Sequence, residues 1–268
     1  MTTPVRPALF AAFNVQSLES PNLSLAYYKL ADVFEKEEKN GKTSYSIIKQ
    51  RPNFLNRFVE LSKPLHGHVQ SFHTRKRDLE RIGTGFSLTT AKRLLFGVGY
   101  SHPLEIGFSF DWTTGLPIIP GSSIKGVALS FAQQCHPDKK RKDEWWEGTG
   151  NPIFGTKDSE GKLIFLPAYP CLDGTKPFLE LDVMTPHYKD YYDNPTKNPP
   201  ADWYNPVPLH FLTVPAGIKY CFRLADRLNL GWKEPDSDLL KKAKQLLSSA
   251  LKEQGVGAKT SVDYGYFK

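Results

Sequence analysis

A chain of 268 residues with 40% hydrophobic and 13% aromatic content has enough apolar material for one large core or two small ones. No apolar run approaches the roughly 18 residues of a membrane span, and Met1 to Phe13 lack the charged start, apolar stretch and cleavage pattern of a secretory leader, so a soluble cytoplasmic protein is expected. The formal net charge of +7 favours a polyanionic partner or an acidic neighbour.

In chain order, Ser20, Pro21 and Asn22 give helix-start chemistry, and Leu23, Ala26, Tyr27, Leu30 and Phe34 follow at helical spacing, predicting an amphipathic helix that ends near Asn40 and Gly41. Phe54, Leu55, Phe58 and Leu61, between Pro52 and Pro64, predict a second, shorter helix. Between Gly41 and Tyr100 eleven Lys or Arg face only Glu60, Asp78 and Glu80, a surplus of eight positive charges in one segment that includes Arg75, Lys76 and Arg77. Such a run is either a solvated basic face or a surface that neutralises phosphates. His66, His68 and His73 lie close together, but no nearby Cys or carboxylate completes a ligand set, so no metal or other cofactor is expected.

From Ser87 onward short apolar runs divided by Gly and Pro predict a strand-rich body. Strand candidates are Leu94–Val98, Ile106–Phe110, Leu163–Leu166, Phe178–Val183, Leu209–Val214 and Tyr220–Leu224. Ile124, Val127, Ala128 and Phe131 fall on one face of a helix entered through Pro120 and Gly121. Residues 186–208 hold six prolines and are expected to be irregular, presenting their aromatic residues from loops. The clearest helix runs through Leu239, Leu240, Ala243, Leu246, Leu247, Ala250 and Leu251, with Asp236 to Asp238 at its positive end and Gly255 at C′. Cys135, Cys171 and Cys221 are far apart without a CxxC pair and are expected to be reduced, partly buried small hydrophobes. Strands with one helix after an early strand and another before the last fit an α+β fold of the split βαβ, ferredoxin-like class.

Two segments point to chemistry. Gly115 to Gly126, GLPIIPGSSIKG, brings Ser122 and Ser123 to a helix start, where unpaired N–H groups and the helix dipole favour an anion, and Lys125 adds a full charge. An ordinary Ser N-cap with an exposed Lys is the alternative. Gly255 to Phe267, GVGAKTSVDYGYF, is a Gly-rich turn with Lys259 and Thr260 at its crest, where Gly255 and Gly257 let backbone amides approach a ligand. It is not a nucleotide P-loop, since Glu253 and Ala258 stand where Gly would be needed and too little chain follows for the required helix.

Together these segments resemble the RAMP proteins of CRISPR systems. Asp182 to Tyr192, DVMTPHYKDYY, with Trp203, Pro206, Pro208 and Phe211 to Val214 beyond it, resembles the sixth subunit of type III-B Cmr complexes, as do Asn22, Leu23 and Tyr27 to Leu30 near the start. The resemblance implies a ferredoxin-like, RRM-related RAMP core with an antiparallel sheet over 86–268, a helical N-terminal extension over 1–85 and a long Pro-rich insertion at about 186–208. It also implies a non-catalytic subunit that binds crRNA, caps the RAMP backbone near the crRNA 3′ end, supports target RNA capture and contacts neighbouring Cmr subunits. By position, Ser122, Ser123 and Lys125 would lie by the guide backbone, with Gly255, Gly257, Lys259 and Thr260 forming the loop. The family often has Arg where this chain has Leu129, and Gly where it has Asp263.

His187, Tyr188, Tyr191, Tyr192, Trp203 and Tyr204 can stack on unpaired bases or anchor a neighbouring subunit, and subunit contact is favoured because only Lys189 and Lys197 supply local positive charge. The competing reading is a metal-independent repeat endoribonuclease with His187 or His210 as general base. Its weakness is that His210 sits in a strand pattern and His187 in the segment that carries the subunit resemblance.

Overall fold

The structure, a computed structural model, describes residues 22–29, 33–39, 42–48, 50–63, 77, 82–138, 140–171, 176–201, 203–227 and 238–268. His66, His68, His73, Arg75 and Lys76 lie outside the described residues.

The first helix is shorter than its pattern suggests. α1 spans Leu23–Tyr28, capped by the Asn22 side chain, which accepts from Leu25 N. Beyond it Phe34–Lys39 (β1) and Lys42–Ile47 (β2) pair antiparallel, Lys39 against Lys42, so the continuous helix expected to Asn40 is corrected to a helix followed by a hairpin. Asn40 and Gly41, read as a helix stop, are equally the strongest two-residue hairpin signal. α2, Arg51–Leu61, forms as expected, with Pro52 in its first turn and Phe54, Leu55 and Phe58 buried.

Thr84–Thr89 (β3) opens the main sheet. α3 (Gly121–Cys135), a short π turn (Trp146–Gly150), α4 (Asn151–Phe154), β4 (Leu163–Phe165) and β5 (Tyr169–Pro170) follow. Glu180–Met184 (β6) and Leu209–Thr213 (β7) form a separate antiparallel pair. Lys219–Asp226 (β8) then runs between β3 and β4 and also pairs with β5, every ladder antiparallel. On the far edge of β3 the C-terminus closes the order, with a bridge from Thr90 to Phe267 and a reciprocal pair of bonds between Thr89 and Lys268.

α6 (Asp238–Glu253) packs on α3 and on the sheet through Leu240, Ala243, Leu247, Ala250 and Leu251, all nearly inaccessible. Burying each leucine of that stripe contributes about 2 kcal/mol. Leu94–Val98 and Ile106–Phe110 are not strands: each contributes a single isolated bridge, Leu94 to Val214 and Phe110 to Pro117. The proline-rich stretch is irregular except for α5, Lys189–Asp193, a five-residue helix where none was expected. It falls in the longest gap between prolines, after Pro186 and before Pro195.

Cys171 and Cys221 form a disulfide with a Cα–Cα distance of 6.3 Å, which corrects the expectation of unpaired thiols. Antiparallel pairing of β5 with β8 brings together two residues 50 positions apart, a proximity their spacing does not encode.

Candidate nucleic-acid interface

α3 starts without a side-chain cap. Pro120 occupies the N-cap, its carbonyl accepts from Ser123 N and Ile124 N, and neither serine hydroxyl closes the helix, so the Ser N-cap alternative does not form. Gly121 lets the helix start press on the sheet, since a Cβ there would lie 2.1 Å from the Phe165 carbonyl oxygen. At roughly 100° per residue, Ser123, Gly126, Val127 and Ser130 share one face of α3, while Ile124, Ala128 and Ala132 face the core.

That free face of α3 meets the C-terminal loop. Residues 96–100, the α3 face and residues 254–258 with Thr260 line an open groove of about 840 Å³. The two segments singled out in the sequence therefore converge on one surface. Ser123, Gly255, Gly257 and Thr260 line it. Lys125 does not, standing roughly 160° around the helix from Ser123, and neither Ser122 nor Lys259 is among the lining residues. Arg77 is exposed and is not among the lining residues.

The third wall is Phe96 to Tyr100, whose first three residues the strand pattern covers. Its signal was available in Gly97 and Gly99, two glycines in three residues. Gly97 takes φ +73°, and a Cβ there would lie 2.6 Å from Ser109 N.

The Gly-rich loop is pinned by alternate residues. Val256 N donates to the Gly265 carbonyl, Ala258 N to that of Leu95, and Gly265 N to that of Arg93. Among the described residues the intervening N–H groups of Gly257 and Lys259 have no protein acceptor. An N–H so placed requires water or a ligand oxygen. Gly257 (φ +101°) would bring a Cβ within 2.5 Å of the Leu95 carbonyl oxygen, and Lys259 and Asp263 both take left-handed backbone. Asp tolerates that region better than most residues, so the turn forms without Gly at Asp263.

The groove is lined without formal charge: its polar groups are backbone, hydroxyls and the Gln254 amide. Nearby cations are partly engaged. Lys92 pairs with Asp263 at 3.2 Å, and Arg93 pairs with Glu180 and Asp182, its pKa raised chiefly by the Glu180 hydrogen bond. Tyr264 donates to Asp182, and burial together with that carboxylate pushes its hydroxyl up to about 12. Lys259 Nζ stands 5.7 Å from the Tyr264 ring centre.

The aromatic stretch follows β6 and contributes no residue to the groove lining. Tyr192 and Trp203 are 71% and 79% exposed, Tyr188 and Tyr191 are half-buried, and exposed His187 lies 3.3 Å, Nδ1 to O, from the Tyr204 carbonyl. His210 lies in β7 opposite Val183. No helix among the described residues is long and apolar enough to cross a membrane, and none of their His, Cys, Asp and Glu side chains cluster as metal ligands.

Known proteins resemble this chain along most of its length. The RAMP superfamily model matches residues 81–268. The CRISPR system Cmr subunit Cmr6 of Pyrococcus furiosus is 32% identical over 66% of this chain and 65% of its own length, so the chain spans just under two thirds of that relative. The CMR subunit Cmr6 of Saccharolobus solfataricus is 32% identical over 95% of this chain and 82% of its own length. A chain in the cryo-EM structure of the Type III-B Cmr-beta bound to cognate target RNA superposes with a TM-score of 0.58 at 25% identity, covering 82% of this chain and 72% of that one. The fold, the two glycine-bearing segments and these matches agree: the chain belongs to the RAMP superfamily, within the Cmr6 family of type III-B CRISPR Cmr subunits.

Proposed function

We propose that this protein is a non-catalytic, crRNA-binding subunit of a type III-B CRISPR effector, capping the RAMP backbone near the crRNA 3′ end and supporting target RNA capture in antiviral defence. The observation that carries this reading is the convergence of the α3 face and the Gly-rich loop on one groove lined by amides and hydroxyls. Base pairing reads the target, and the protein supplies shape and backbone contacts, as a groove without fixed charges suits. A non-catalytic role fits the lining, in which Tyr100 is the one titratable side chain among the described residues. The sheet order, with the C-terminus, β3, β8 and β4 side by side and both long helices packed together, supports a ferredoxin-like core over 86–268 carrying an N-terminal extension over 1–85.

His187, Tyr188, Tyr191, Tyr192 and Trp203, in the insertion at about 186–208, are assigned to contact with a neighbouring Cmr subunit, because Tyr and Trp are enriched in interfaces. Arg75, Lys76 and Arg77 are assigned to secondary phosphate contacts. In the assembled complex Lys259→Ala combined with Lys125→Ala is expected to lower crRNA retention without unfolding the protein. The salt dependence should also flatten, by roughly 0.7 in log–log slope for each phosphate that is no longer neutralised. Most of the loss should come from Lys259, since Lys125 points away from the groove. Unchanged retention by the double variant removes both segments from the RNA site.

A further inference from the structure

Next to the groove an aromatic cluster is held rigidly and left in solvent. Trp112 is 57% exposed and Tyr100, at the groove wall, 52% exposed. A buried indole removes much apolar surface from water, so an exposed one is either incidental on a mobile loop or held out for a partner. The backbone of Trp112 is fixed. Asp111, itself buried, accepts at one carboxylate oxygen from Thr113 N at 2.7 Å, Thr113 Oγ1 at 2.6 Å and Thr114 N at 3.2 Å, and at the other from the Tyr169 hydroxyl. Burial alone would raise the Asp111 pKa, yet these bonds hold it below its ordinary value, so the carboxylate stays charged and the turn stays closed.

From the other side Asn22, which caps α1, donates to the carbonyls of Trp112 at 2.9 Å and Thr113 at 3.1 Å. Gly115 (φ +71°) makes this approach possible, since a Cβ there would lie 2.6 Å from Leu23 N. The turn thus commits a buried carboxylate, a helix cap and a glycine to presenting one indole to water.

Tyr28 links this indole to the groove wall. Its ring lies 5.9 Å from Trp112, and its hydroxyl is anchored on both the N–H and the carbonyl of Phe108. Burial raises the Tyr28 pKa and the Phe108 hydrogen bond opposes this. Tyr100 packs beside the same segment, since a Cβ on Gly107 would lie 2.4 Å from the Tyr100 carbonyl oxygen and 2.7 Å from its Cβ. His102 stacks on Tyr27 at 4.0 Å and meets Tyr28 edge-on, stiffening the block from behind. Lys29 Nζ stands 5.9 Å from the Trp112 ring centre, supplying a cation that the groove lining lacks.

We infer that Tyr100 and Trp112, bridged by Tyr28 and the Gly107–Phe108 segment it bonds, form a stacking shelf on which unpaired RNA bases lie while their backbone passes through the adjoining groove, with Lys29 facing a phosphate. This rests on the RNA-binding reading of the groove. Planar rings beside a cation, next to unpaired backbone N–H groups, match a single strand, in which every base offers a π-face and every linkage a charge.

The test uses the full chain at low salt with two probes, a short unstructured oligoribonucleotide and a length-matched oligomer of abasic sites. Trp112→Leu and Tyr100→Leu are each expected to weaken binding of the base-bearing oligomer about tenfold and to leave the abasic one unchanged. Trp112→Phe should restore most of the loss. Lys259→Ala should weaken both oligomers alike. Equal losses on both oligomers for Trp112→Leu, or no loss on either, overturns the shelf, and the latter result leaves the surface to a protein partner. If Lys259→Ala reduces both affinities and Trp112→Leu neither, the shelf alone falls. Should the wild-type chain bind neither oligomer, the groove reading falls as well.

Discussion

The groove and the proline-rich stretch differ in what carries their chemistry. At the groove it lies in the backbone: Gly255, Gly257 and Gly265 take positive φ, alternate amides are pinned, and the lining is uncharged. In the stretch from 186 to 208 it lies in side chains, with Trp203 and Tyr192 held out from short local structure. A site made of backbone fails when a Cβ is added, whereas one made of side chains fails when they are truncated. The contrast can be broken by three substitutions.

The largest effect is expected at Gly265, where a Cβ would lie 2.1 Å from the Val256 carbonyl oxygen at φ +81°. Gly265→Ala should cost about 3 kcal/mol in chemical denaturation and abolish RNA retention, because the Val256 and Arg93 bonds that shape the loop run through this residue. Retained stability would show that the loop can be reshaped and is not set by its glycines.

Gly126 should move the other way. It sits inside α3 on the groove face, and among the described residues nothing lies within 4 Å of the Cβ it would carry. Gly126→Ala should therefore stabilise the free chain by up to about 1 kcal/mol while weakening RNA binding, a sign reversal that separates a residue kept for a ligand from one kept for folding. A stabilised variant with undiminished RNA binding would detach the α3 face from the site.

The smallest effect on folding belongs to Trp203→Ala, expected within about 0.5 kcal/mol of wild type because the ring is 79% exposed. Its consequence should be a failure to co-purify with neighbouring subunits while RNA binding by the isolated chain is unchanged. A large destabilisation would mean that the stretch folds back on its own core.

Disulfide formation, the N-terminal hairpin and the third wall of the groove share one reason for escaping the sequence reading. Cys171 meets Cys221 only because β5 pairs with β8. Residues 35–39 carry mixed charges that suit an exposed helix face as well as an edge strand, and pairing with β2 decides between them. Phe96 to Val98 reads as the end of an apolar strand until the loop at 254–260 is laid against it.

What the sequence determined by itself was local: the α6 stripe, the short α2, the strands β4, β6, β7 and β8, and the two glycine-bearing segments. Periodicity and backbone freedom are properties of neighbouring residues, so they can be read along the chain. Tertiary structure alone decided that Ser123 and the Gly-rich loop share a groove while Lys125 turns away, and that Asn22, Asp111 and Gly115 combine to hold Trp112 in solvent. Those outcomes depend on helix rotation and on contacts between residues ninety or more positions apart, such as Asn22 and Thr113, and they become defined only when the sheet and helices close on one core.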